Sequence, residues 1–132
     1  MNGIFVDTSG WYAAIDRKDR GHEAARLFLE NNRLPLVTTD YVMDETVTLL
    51  QVRLGHGYAV RFLDSLQASR LVQRVYLSQV QIEAAIDLFR NRPDKGWSFT
   101  DCSSFTLMHE CGLQKALAFD DHFRQAGFLT QP

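Results

Sequence analysis

At 132 residues, 45% of them hydrophobic, the chain is long enough to bury one full core and too short for two ordinary domains, so a single domain over residues 1–132 is expected. Its 14 basic and 16 acidic residues leave a formal charge of −2, which excludes the global positive field that gathers polyanions. The charge is uneven: residues 1–50 carry 5 basic and 8 acidic groups, 51–100 carry 7 and 4, and 101–132 carry 2 and 4, so the basic surplus lies mid-chain.

The first residues include Asn2, Gly3 and Asp7 and do not read as a signal peptide, and no uninterrupted apolar run approaches the roughly 20 residues that span a bilayer. Cys102 and Cys111 fall on one predicted helix, with no CxxC and no zinc-finger spacing. A reduced, cytoplasmic protein with no membrane association is expected.

Ile4, Phe5 and Val6 form a short β-branched and aromatic run, the pattern of a strand buried on both faces. It ends in Asp7. Thr8, Ser9 and Gly10 read as a turn, and Trp11 to Ile15 as the start of a helix. After Gly21 and His22, apolar residues from Ala24 to Leu29 recur at helical spacing until Asn31 and Asn32. Leu36 to Thr38 make a second strand, and Thr39 or Asp40 caps a helix carrying Asp44 and Glu45 in its early turns. That helix stops at Gly55-His56-Gly57, and Tyr58 to Ser69 form its partner in an αα-hairpin. Leu71 to Leu77 read as a third strand, Ile82 to Phe89 as an amphipathic helix closed by the Pro93 loop, and Thr100 to Cys111 as another helix ended by Gly112. Lys115 to Phe119 read as a strand with Asp120 and Asp121 at its carboxyl end, followed by a short helix and a last strand around Phe128 to Thr130. Alternating strands and helices predict an α/β sandwich around a mainly parallel sheet, with its strand order unread.

Asp7 ends one strand, Asp120 ends another and Asp101 opens a helix, so all three fit one rim of a parallel sheet, where α/β folds bind ligands. Glu45, in the second turn of a helix that follows a strand, fits the same rim. Four carboxylates gathered there repel one another unless a cation neutralises them or some take up protons. All-oxygen ligation suits Mg²⁺ or Mn²⁺ rather than zinc, and such an ion polarises a phosphoryl oxygen and activates water. Singly, each acid has a plainer role as a turn acceptor, a helix-dipole partner or a cap; Asp44 competes with Glu45, and Asp121 with Asp120.

Other chemistry finds less support. His22, His56, His109 and His122 are scattered and read as surface or capping residues, and Ser9, Ser103 and Ser104 lack a nucleophile elbow. No phosphate-binding glycine loop occurs. Trp11 and Trp97 read as packing residues, and Arg53, Arg61, Arg70 and Arg74 as solvated cations that also suit a phosphate path. An aspartyl-phosphate mechanism fits poorly, because a phosphatase of the haloacid-dehalogenase type wants an Asp where Ser9 stands, and a receiver domain wants a lysine after the strand that Lys115 begins.

FVDTS at Phe5 to Ser9, VTTDYVMDE ending at Glu45, WSFTDCSSF around Asp101 and AFDDHF at Ala118 to Phe123 together resemble the motifs of PIN-domain ribonucleases, especially small VapC-type proteins. The resemblance spans nearly the whole chain. It implies a three-layer α/β/α PIN fold and Mg²⁺- or Mn²⁺-dependent endonucleolytic cleavage of RNA, with Asp7, Glu45, Asp101 and Asp120 as the catalytic and metal-holding cluster and Ser9 supporting the first Asp. It further implies a toxin component, a homodimer and an antitoxin partner. The last motif commonly reads T-x-D-x-x-F; Ala118 replaces the Thr here, while Phe123 keeps the register that favours Asp120. The alternative is a catalytically silent PIN-like module that binds RNA or protein.

Overall fold

The computed structural model describes residues 1–132. In chain order the elements are β1 (Ile4–Val6), α1 (Thr8–Ile15), α2 (His22–Asn31), β2 (Leu36–Thr39), α3 (Asp40–Leu54), α4 (His56–Ala68), β3 (Val72–Val75), α5 (Gln79–Asn91), α6 (Phe99–Cys111), β4 (Lys115–Leu117), α7 (His122–Gln125) and β5 (Leu129–Gln131). The strands form one sheet in the order β3-β2-β1-β4-β5, and every pairing is parallel. Helices flank this sheet in a three-layer α/β/α arrangement. β1 is central because it is apolar throughout: Ile4, Phe5 and Val6 are all 2% exposed or less, as a strand covered on both faces must be.

The strand order reverses at β1. The chain runs outward through β2 and β3, then returns to lay β4 against the other side of β1, with Val6 opposite Leu117. Such a reversal opens a crevice beyond the carboxyl ends of the two central strands. Asp7 follows β1 and Asp120 follows β4, so the topology delivers both to that crevice.

Several local details differ from the sequence reading, among them β4, which stops at Leu117 rather than Phe119 and leaves Asp120 three residues beyond its end. Thr8, Ser9 and Gly10 are not a turn but the first residues of α1, because Asp7 caps the helix directly by accepting the Ser9 N–H at 3.2 Å. Gly10 is required at this point: a Cβ there would lie 2.5 Å from the Leu117 carbonyl oxygen. Likewise Gly55 alone breaks the αα-hairpin. Its φ of 104° ends α3, and His56 already belongs to α4.

Candidate active site

Asp7 is almost fully buried, at 3% exposure. Its Oδ2 accepts both the Ser9 N–H at 3.2 Å and the Ser9 hydroxyl at 2.8 Å. Ser9 Oγ in turn accepts the Phe119 N–H at 3.1 Å, so one hydroxyl ties the end of β1 to the segment after β4. Burial pushes the Asp7 carboxyl up to about 7, with the charges of Asp120 and Asp101 adding to the rise and the Ser9 bonds opposing it.

Asp101 occupies the third position of α6 in a capping box: its N–H donates to Ser98 Oγ at 3.0 Å and its Oδ2 accepts the Ser98 N–H at 3.1 Å. The same Oδ2 lies 2.8 Å from His122 Nδ1. A carboxylate oxygen that already accepts one N–H accepts here too, so Nδ1 carries the proton. Asp120 Oδ1 accepts the His122 N–H at 3.0 Å. Burial raises the Asp120 carboxyl as well, the neighbouring charge of Asp101 contributing and the His122 N–H opposing. Asp121 is turned away and pairs with Arg124 at 2.7 Å, which resolves the choice between the two adjacent acids in favour of Asp120 as the cleft residue.

These residues line one open cleft of about 810 Å³ together with Glu45, Asp44, Tyr12, Arg53 and Phe119. All four sequence-predicted acids therefore share a surface. Glu45 is half-buried and Asp44 exposed, and both reach the cleft. The expected tight gathering is a correction, however: no three His, Cys, Asp or Glu side chains approach closely enough as they stand to hold one ion. The acids are kept apart by their separate hydrogen bonds, to Ser9, to Ser98 and to His122, and by their mutual repulsion.

The donor set nonetheless fits a hard divalent cation. It is all oxygen, and each aspartate spends one oxygen on the protein while the other, Oδ1 of Asp7 and Asp101 and Oδ2 of Asp120, takes no protein hydrogen bond.

His122 is a second correction, since its ring is not a surface or capping group but a donor to Asp101 from across the fold. The sequence carried no signal for that pairing. Ser98 was legible in hindsight through its S-x-x-D spacing to Asp101. Trp11 and Trp97 are core residues, 7% and 6% exposed, and the indole of Trp97 donates to Gln125. Arg53 lies on the cleft with its guanidinium 5.2 Å from the Tyr12 ring centre and pairs with no carboxylate.

A parallel sheet that turns back at its first strand and brings Asp7, Asp101 and Asp120 to the switch point is a PIN architecture, and the PIN-domain family model matches residues 4–129. The chain belongs to the PIN-domain family. It is similar to the 23S rRNA-specific endonuclease VapC20 of Mycobacterium tuberculosis, with 34% identity over 126 residues, 96% of this chain and 95% of that protein. A VapC ribonuclease of Archaeoglobus fulgidus is 30% identical over 89 residues, 67% of this chain and 55% of that one. The crystal structure of M. tuberculosis VapC20, described as a sarcin-ricin loop cleaving toxin, superposes with a TM-score of 0.93 at 34% identity and covers 98% of this chain and 100% of that one. No helix here is long and apolar enough to cross a membrane.

Proposed function

We propose that this protein is a metal-dependent endoribonuclease that cleaves RNA phosphodiesters in the cleft between β1 and β4, and that it is the toxin of a toxin-antitoxin pair. The observation that carries the reading is the cleft itself: four carboxylates face it, and the aspartates keep an oxygen each free of protein bonds. The VapC ribonucleases to which the chain is similar support the same conclusion.

Asp7, Glu45, Asp101 and Asp120 would hold Mg²⁺ or Mn²⁺, and a bound divalent ion supplies Lewis-acid polarisation of the phosphoryl oxygen and a more acidic water. The chain's own residues prepare that site. Ser9 fixes Asp7, and Ser98 with His122 fixes Asp101, so that neither carboxylate rotates away from the cleft. Arg53 is a free cation on the wall of an otherwise acidic cleft, and it is placed to take a backbone phosphate next to the one being cut. The target named for VapC20 makes a ribosomal RNA stem-loop the first substrate to try.

The test is cleavage of an RNA pool, with that stem-loop included, by purified protein in Mg²⁺, in Mn²⁺ and in chelator, beside Asp7→Asn prepared identically. Cleavage that requires the metal and vanishes in the variant is expected. Cleavage that persists in chelator and in Asp7→Asn would overturn the site assignment. Binding of RNA with no cleavage and no divalent-ion binding by calorimetry would instead favour the silent module. An antitoxin partner and a homodimer belong to the same reading, and co-purification with the product of a neighbouring reading frame and the solution mass test them.

A further inference from the structure

Phe119 has no part in holding the acids through its side chain, yet its ring lies on their cleft at 41% exposure. Of the two phenyl-based side chains lining the cleft, Tyr12 is 6% exposed and spends its hydroxyl on Asp16 at 2.7 Å, so of these two only Phe119 offers solvent a ring face; the imidazole of His122 also lines the cleft but is held by Asp101 at 2.8 Å. The ring is held rather than loose. It rests on bare backbone at Gly21, where a Cβ would stand 2.6 Å from one ring carbon and 2.9 Å from two others. Its own N–H donates to Ser9 Oγ at 3.1 Å, and that hydroxyl donates to Asp7 at 2.8 Å. Two hydrogen bonds thus fix the Phe119 backbone relative to Asp7, and Asp120 is the next residue along the chain.

A flat apolar surface, held in place and exposed beside a row of acids, suits one component of RNA: an unpaired base, whose π-face stacks on aromatic rings whatever its identity. We propose that Phe119 is the stacking platform for the nucleobase adjoining the cleaved phosphodiester, with Gly21 making the room that seats it. The proposal rests on the ribonuclease reading. It places the substrate class among single-stranded or loop RNAs with a base free to unstack, because a base locked in a duplex cannot reach the ring.

The platform acts on binding more than on the chemical step, since the base is stacked before and during the reaction alike. The experiment compares wild type with Phe119→Leu, which keeps an apolar side chain over Gly21, and Phe119→Tyr, which keeps the ring. Short unstructured RNAs carrying 2-aminopurine at successive positions report stacking by quenching in chelator, and KM and kcat for an unlabelled RNA are measured with Mg²⁺ or Mn²⁺. Quenching lost and KM raised roughly tenfold or more in Phe119→Leu, with kcat nearly unchanged and Phe119→Tyr close to wild type, is the expected result. Wild type that cleaves while Phe119→Leu matches it in KM and quenching overturns the platform and leaves the nuclease standing. A Phe119→Leu protein altered only in melting temperature or kcat also overturns it, and makes the ring mere cover for Gly21. Wild type that neither binds nor cleaves RNA overturns both readings.

Discussion

At the scale of single residues, the most consequential choice is a buried carboxylate. Asp7 has its carboxyl raised from the usual carboxylate range to about 7. Between those values the folded protein holds a proton that the unfolded chain has released, so stability without metal falls as the pH rises from about 4 to about 7. The full loss from this one group is roughly 4 kcal/mol at most. Urea unfolding at stepped pH in chelator is expected to show that decline, and Asp7→Asn to flatten it, since Asn still caps a helix but carries no charge. Added Mg²⁺ is expected to recover stability above pH 7 by binding only the folded state. His122 supplies a second residue-level prediction. His122→Ala removes the donor to Asp101 and is expected to weaken divalent-ion binding in calorimetry by about 10–100-fold, with cleavage falling alongside. His122→Asn, whose amide N–H can stand near the place of Nδ1–H, is expected to restore part of both.

The elements show what the sequence could and could not disclose. The strand-acid-helix order at Asp7 was legible because a central parallel strand is apolar on both faces and its end is therefore abrupt. The first turn of α1 was not, since Thr8-Ser9-Gly10 has the composition of a turn. Its helical state depends on a cap from Asp7 and on the seating of Gly10 against Leu117, a contact no local pattern encodes. Gly10→Ala is accordingly expected to cost about 1–3 kcal/mol or more in urea unfolding, as the added methyl forces α1 off β4 and carries Ser9 with it. The sequence could bring the four acids to one cleft because three of them sit at element boundaries where side chains face a rim. The bond between His122 and Asp101 was hidden, as its partners stand 21 residues apart and meet only through packing. Phe119 was hidden for a related reason: read locally, it was one more apolar residue of a strand, and only the fold reveals that its ring lies on the cleft.

For the molecule as a whole, alternation of strands and helices announced the layered sheet, while the strand order had to await the structure. An aromatic cluster packs α6 and α7 against β1. Phe123 is fully buried, with its ring centre 4.9 Å from that of Phe105 and 6.0 Å from that of Phe5. It fastens α7, and through it Asp120 and His122, to β1. Phe123→Ala is expected to cost about 3–5 kcal/mol, and loss of cleavage in this variant should track the unfolded fraction measured by circular dichroism. The placement of β4 has one more consequence. Ile4 pairs with Lys115, and Asp7 meets the neighbourhood of Asp120 only after that pairing forms. During synthesis β1 waits, half-partnered, until residues beyond 120 have emerged, because so distant a pairing cannot close any sooner. A chain halted before Lys115 therefore leaves β1 with one edge unpaired and Asp7 without its neighbour Asp120.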